Sequence, residues 1–173
     1  AILRSYSIGL DDLGRWFQCR AITAYNIDED EELEIVVYGK FVADWSSSDY
    51  KLYAFDGDLS LKAGWPHQTG ISGFFEPTNP VFCDLDSDGF VEYFLSCTYI
   101  DPFSTGIIYG WEIDGASYDF GGKSYIDIPI SAVGPLVVAD LNGDTAPDLI
   151  TAVRMDWMVS YVDRIMAFNR FGD

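Results

Sequence analysis

Apolar residues in this chain come in short runs, and one kind of polar interval recurs between them. Ala21–Tyr25, Val81–Cys83 and Leu136–Ala139 each lead into a stretch of acidic and amide residues. Leu33–Tyr38, Val91–Cys97 and Leu149–Val153 follow those stretches. Two short apolar runs on either side of a tight polar turn predict a β-hairpin. The runs are nearly continuous rather than alternating, which predicts strands covered on both faces, as in a sheet held between neighbouring sheets. Helical periodicity is almost absent. The 16 Gly and 7 Pro cluster between the runs, where they supply turns. Segments such as Gly64-Trp65-Pro66-His67-Gln68-Thr69-Gly70 and Asp101–Gly106 read as loops between strands or repeats.

A second run recurs downstream of each hairpin, an aromatic-rich stretch ending in a polar turn with Gly. Its copies are Leu52–Gly57, Ile108–Gly115 and Ile165–Gly172, with an earlier one at Ile8–Gly14. Anchored at Ile8, Tyr53, Tyr109 and Met166, they lie 45, 56 and 57 residues apart. A unit of roughly 50–57 residues with four short strands is the size of a propeller blade. The expected fold class is therefore all-β: about three four-stranded antiparallel β-propeller blades. The expected organisation is a single repeat array over 1–173, with the tail of a preceding blade at 1–14 and blades at 15–70, 71–128 and 129–173. Propellers close with four to eight blades. The array is thus expected to be a partial propeller, part of a larger one, or one closed by oligomerisation.

The polar intervals carry the chemistry. Acidic or amide side chains stand at positions 1, 3, 5 and 9 of a nine-residue loop three times: Asn26, Asp28, Asp30, Glu34; Asp84, Asp86, Asp88, Glu92; Asp140, Asn142, Asp144, Asp148. The copies start 58 and then 56 residues apart. Alternate residues of a tight loop turn inward, so positions 1, 3 and 5 converge. Position 9 closes the shell from the second strand, and position 7 can add a backbone carbonyl, from Glu32, Phe90 or Ala146. This density of hard oxygen donors suits calcium, which takes six to eight oxygens, whereas magnesium demands a smaller octahedron. An EF-hand needs a bidentate Glu at position 12 and flanking helices. Position 12 here is Val37, Leu95 or Thr151, between strand-like flanks, so that reading fails. Up to three calcium ions are expected, one per loop. The second loop offers four carboxylates against three in each of the others and is expected to bind most tightly. Asp and Asn also favour turns that hold no ion; the three copies in phase are what favour the ion. Its role would be structural, since it would bind only the folded hairpin.

The formal net charge is −18, from 10 Lys+Arg against 28 Asp+Glu. Such a surface repels phosphate backbones and anionic lipid, which excludes nucleic acid as a partner. No apolar run approaches the roughly 20 residues of a membrane span. A chain beginning at Ala1 reads as a mature or excised piece, so a missing signal peptide does not argue for the cytosol. The cysteines Cys19, Cys83 and Cys97 follow no metal spacing and read as small buried hydrophobes. The single His67 excludes multi-histidine metal sites, and its place beside Trp65 reads as incidental. Most of the 5 Trp, 11 Tyr and 12 Phe are expected to pack between sheets; exposed ones could stack on sugars. Ser46-Ser47-Ser48 and Asp49 read as a solvated insertion. No phosphate loop, nucleophile elbow or Cys–His pair is present, so no catalytic residue is identified.

These loops resemble the FG-GAP/VCBS class of β-propeller repeats, the calcium-loop blades also found in integrin α-subunit heads. Asp84-Leu85-Asp86-Ser87-Asp88-Gly89-Phe90-Val91-Glu92 is similar to the family loop, and so is Asp140–Leu149. Lys51–Gly57 followed by Gly64-Trp65-Pro66 resembles the outer strands of bacterial secreted members. Asn26 stands where the family usually has Asp, and Glu31 and Thr145 stand where it has Gly. The resemblance implies an extracellular or cell-surface, non-catalytic adhesion or assembly module, with a protein partner or self-association. It leaves carbohydrate binding, or a fragment of a secreted polysaccharide lyase, as alternatives. A lyase needs a base to abstract a proton, for which the sequence offers no motif.

Overall fold

The computed structural model describes residues 5–9, 14–28, 30, 32–42, 48–71, 75–99, 105–128, 131–157 and 160–173. Among the described residues there are twelve strands and no helix, so the all-β expectation holds. No helix of these residues is long and apolar enough to cross a membrane. The chain divides into two compact units, Ala1–Phe74 and Phe75–Asp173.

The first unit holds one antiparallel meander of four strands: β1 (Trp16–Tyr25), β2 (Glu34–Val42), β3 (Ser48–Phe55) and β4 (His67–Gln68). The second holds two sheets. One contains β5 (Phe75–Pro77), β6 (Val81–Cys83), β7 (Glu92–Tyr99), β8 (Thr105–Glu112) and β9 (Tyr125–Ile128). Both β5 and β6 pair with β7, at its two ends, so they share one edge of the sheet. The other contains β10 (Ser131–Ala139), β11 (Asp148–Trp157) and β12 (Ser160–Phe168). The three sheets therefore carry four, five and three strands rather than four each.

The opening edge of every sheet is irregular. Pairing shifts between Cys19 and Ala21 in β1 and between Val133 and Leu136 in β10. Residues 78–80 separate β5 from β6. Pro80 and Pro135 explain two of the three, because proline cannot donate to a ladder. The shift in β10 frees the Gly134 carbonyl, which accepts Ser96 Oγ at 2.6 Å and Thr151 Oγ1 at 2.9 Å. Both donors are buried, so their hydroxyls are satisfied where water does not reach.

The core of the second unit lies between its two sheets. Phe94, Ile108, Tyr118, Phe120 and Ile126 from one meet Val133, Leu136, Leu149, Val153 and Phe168 from the other. In the first unit Phe41, Tyr53 and Phe55 form a smaller cluster with Ile8, Phe17, Ile35 and Val37. In the second unit aromatic rings pack between the sheets, as Phe94 and Phe168 do, whereas in the first unit Phe17 and Tyr53 meet within one sheet. Phe94–Tyr118 and Phe17–Tyr53 stand edge-on, both with centroids 5.3 Å apart.

Coverage of both faces holds for β2, which has no exposed position, and for Glu92–Cys97 of β7, which are all buried. It fails for β1 and β11. Half of the β1 edge strand is exposed and only Ala21 in it is buried, and β11 alternates from Leu149 to Arg154 because one face meets the neighbouring sheet and the other is open. Other expectations also change. His67 and Gln68, read as loop, form β4, and His67 is buried with its ring stacked 3.9 Å from that of Trp65. Ser48 and Asp49 begin β3, while Ser46 and Ser47 lie outside the described residues. Thr105 and Gly106 begin β8, and 101–104 lie outside. Of the earliest aromatic-turn copy, 10–13 lie outside as well. Cys83 and Cys97 are buried, but Cys19 is exposed because it sits on the β1 edge beside the pairing shift.

Candidate metal centre

Each acidic loop closes a hairpin at the same place. The flanking pairs are Tyr25 with Glu34, Cys83 with Glu92, and Ala139 with Asp148. Position 9 is therefore the first residue of the second strand, and its side chain is buried in all three copies. From there its carboxylate accepts the N–H of position 2: Ile27 to Glu34 at 2.8 Å, Leu85 to Glu92 at 2.7 Å, Leu141 to Asp148 at 3.1 Å. One strand end thus clamps the start of the loop.

The remaining contacts repeat with the same phase. Position 3 accepts the N–H of position 5, in Asp28 from Asp30, Asp86 from Asp88 and Asn142 from Asp144. Position 5 accepts the N–H of position 7, in Asp30 from Glu32, Asp88 from Phe90 and Asp144 from Ala146. Position 1 reaches across the loop. Asp84 accepts Asp88 and Gly89 N–H, and Asp140 accepts Gly143 and Thr145 N–H. Asn26 does this differently. Its amide Nδ2 donates to the Asp30 carbonyl at 2.5 Å, which a carboxylate could not do. Glu29 and Glu31 lie outside the described residues.

The loops then diverge. In loop two, oxygens of Asp84, Asp86, Asp88 and Glu92 all lie within 4.8 Å of one another; in loop one, those of Asp28, Asp30 and Glu34 do. Loop three forms no such group among the described residues. Asn142 takes one carboxylate away there, and Asp148 is one methylene shorter than Glu34 and Glu92. Positions 7 (Glu32, Phe90, Ala146) enter the pattern through their N–H groups.

Glu92 is the most constrained of these groups. Its side chain is 0 % exposed. Oε2 takes the Leu85 N–H, but buried Oε1 has no hydrogen-bond partner among the described residues. Burial pushes this carboxyl up to about 8; the Leu85 N–H opposes the rise, and Asp86, Glu112 and Asp84 add repulsion to it. Burial raises Glu112 too, with repulsion from Asp86, Asp88 and Asp114 added to it. An unpartnered buried carboxylate oxygen beside three further carboxylates fits a cation: a hard divalent ion would supply both the missing partner and the counter-charge. By the same test the donors of loop one fit less completely, and those of loop three least. At Asp140 the N–H of Gly143 holds the carboxyl below its ordinary value without any ion.

Two residues in this region escape a reading of the loops alone. Lys62 Nζ lies 2.5 Å from Asp28 Oδ2 and 3.2 Å from Asp56 Oδ1. The Lys62 ammonium holds Asp28 below the usual carboxylate range. Tyr118 lies near loop two, and burial together with Asp86, Glu92 and Glu112 pushes its phenol upward. The signal that would have found them is the second repeated run: each stands six residues beyond an acidic residue within it, Asp56 or Glu112.

Comparison with protein-family models, curated proteins and solved structures finds no match for the chain. The family resemblance therefore rests on the three loops and their phase.

Proposed function

We propose that this chain is a calcium-stabilised segment of an extracellular or cell-surface β-propeller of the FG-GAP/VCBS type, with a non-catalytic role in adhesion or assembly. Glu92 carries the reading, as a buried carboxylate in a group of four with one oxygen unpartnered among the described residues. The repeated clamp from position 2 to position 9 supports an ion in the same setting elsewhere. When bound, calcium would neutralise the cluster and pin the hairpin elbow to its second strand. Asp84, Asp86, Asp88 and Glu92 would hold it in loop two, and Asp28, Asp30 and Glu34 in loop one. Loop three, through Asp140, Asn142, Asp144 and Asp148, would bind most weakly.

Association is supported by apolar sheet surface. Ile22 and Ile165 are 66 % and 82 % exposed, and Tyr6, Ile8, Phe17, Ile22, Ile35 and Val37 line an apolar cavity of about 350 Å³ in the first unit. An apolar groove of this kind suits a partner surface. Calorimetric titration of calcium into chelator-treated protein tests the ion, and sedimentation with and without calcium tests assembly. At least one site filled at or below millimolar calcium is expected, with concentration-dependent association that Ile165→Glu weakens. No heat, no rise in melting temperature and a monomer throughout would sink the proposal.

A second reading, carbohydrate binding, draws on a cavity of about 420 Å³ in the second unit, where the half-exposed rings of Tyr125 and Phe171 stand beside Lys123, Ser124 and Asp127. Aromatic faces next to polar side chains suit a sugar. Glycan-array binding lost in Tyr125→Ala would favour it over protein assembly.

A further inference from the structure

The turns after β3 and β8 are built alike, bond for bond. Leu59 N–H donates to the Asp56 carbonyl and Gly115 N–H to that of Glu112, both at 2.8 Å. Asp56 N–H donates to Ser60 and Glu112 N–H to Ala116. Asp58 Oδ1 accepts Ser60 N–H, and Asp114 Oδ1 accepts Ala116 N–H, again both at 2.8 Å. Leu59 and Gly115 share positive φ, 68° and 89°. The return strand is then pinned by Lys62 N–H on the Ala54 carbonyl and by Tyr118 N–H on the Gly110 carbonyl, each at 2.9 Å. Lys62 and Tyr118 are therefore the same position in two copies of one unit.

Their side chains differ in what they bring to the neighbouring loop. Lys62 brings an ammonium, its side chain 19 % exposed, bonded to Asp28 of loop one and to Asp56. Tyr118 brings a neutral phenol, whose hydroxyl donates to the Arg170 carbonyl at 3.4 Å. Arg170 itself meets loop two through the Asp86 backbone carbonyl, not through a carboxylate. Among the described residues no ion pair reaches Asp84, Asp86, Asp88 or Glu92.

We propose that Lys62 is a tethered counter-cation for loop one, which makes that loop the weaker calcium site and loop two the primary one. This rests on the calcium reading above. The ammonium engages one of the three carboxylates that an ion would need, so a divalent ion enters loop one against a resident positive charge. Loop two meets the same ion with four carboxylates, none of them in an ion pair among the described residues; Arg170 touches it at the Asp86 backbone carbonyl and leaves the carboxylates free of a salt bridge. The unequal pair gives graded filling: loop two at low calcium, and loop one only when calcium is high enough to displace the lysine.

Calcium titration of the full chain followed by amide and lysine-ammonium NMR tests this, with Glu34→Gln and Glu92→Gln assigning loops one and two. In the wild type, loop-two amides are expected to shift first, and the Lys62 ammonium signal to move only with those of loop one. Lys62→Met is expected to tighten loop one about tenfold, the scale of one nearby unit charge under partial screening, and to leave loop two unchanged. Lys62→Arg keeps the charge and is expected to keep loop one weak, which a purely structural lysine would not predict. Equal filling of the two loops in the wild type, or no tightening in Lys62→Met, overturns the inference while leaving calcium binding standing. If Lys62→Met does not fold, the order of filling and the lysine signal in the wild type decide. No calcium in either loop overturns both readings.

Discussion

Leu85 and Glu92 are tied by a 2.7 Å hydrogen bond from the Leu85 N–H to Glu92 Oε2, and Oε1 stays buried without a partner among the described residues. The loop thus uses one carboxylate oxygen to shape itself and leaves the other without a partner among the described residues. Both residues are 0 % exposed, so bulk water does not fill the role.

Glu92→Gln is the direct test of that arrangement. With chelator present, the variant is expected to match or exceed the wild type in stability, because the orphaned carboxylate is gone and the amide oxygen still accepts from Leu85. With calcium present the order reverses. A ligand at about 100 times its Kd stabilises by about 2.7 kcal/mol, and the variant should lose most of that for loop two. Melting curves with and without calcium measure both effects. An equal calcium response in the two proteins would remove Glu92 from the site.

In calcium-free protein the raised Glu92 carboxyl makes stability fall as pH rises. Its pKa is about 8 in the folded chain against 4.5 ordinarily. The contribution is therefore fully present below about 4.5 and is lost as pH climbs through about 8, since the unfolded chain releases the proton first. Urea unfolding in chelator at several pH values across that window should show the decline in the wild type and lose it in Glu92→Gln. Calcium binding near pH 6 should also release a proton, which appears as a buffer-dependent heat.

Thr145 occupies position 6 of loop three with φ of 74°, where loop two has Gly89 at 95°. A β-branched residue in this left-handed region is strained by roughly 1–2 kcal/mol. Thr145→Gly keeps the N–H bonded to Asp140 Oδ2 and removes the strain. After the added entropy of glycine in the unfolded chain, a net gain of about 0.5–1 kcal/mol is expected. Denaturant unfolding measures it, and a loss of stability would contradict the strain argument.

Gly110 pairs with Phe94 across β7 and β8, and the Phe94 ring lies over it. A Cβ built on Gly110 would sit 2.6 Å from Phe94 Cε1 and 3.0 Å from Tyr118 Cβ. Both rings are buried in the core between the two sheets, so neither moves aside freely. Gly110→Ala is expected to cost about 1–3 kcal/mol by overpacking. Gly122→Ala, which faces open space but has φ of 94°, reports backbone strain alone, whereas Gly110 lies outside the positive-φ region and its loss reports packing; no loss in Gly110→Ala would contradict the packing argument.

The hairpins were legible because their determinants are local. Donors at positions 1, 3, 5 and 9, bounded by apolar runs, lie within nine residues of one another, and the hydrogen bonds that shape each loop span at most seven. The all-β character and the recurring turn at Asp56–Ser60 and Glu112–Ala116 follow from the same short-range chemistry. What the fold decided depends on residues far apart. Lys62 reaches Asp28 across 34 positions, and only the closed turn after β3 brings it there. The burial that strands Glu92 Oε1 comes from strand pairing and from sheet packed on sheet, not from the loop. The irregular edge at Cys19, the split between β5 and β6, and the third loop's lack of a gathered carboxylate group among the described residues likewise arise where proline, side-chain length or pairing overrides the repeat. Local sequence set which atoms could converge on an ion; tertiary packing set which of them lost water, and loss of water is what makes a carboxylate need a partner.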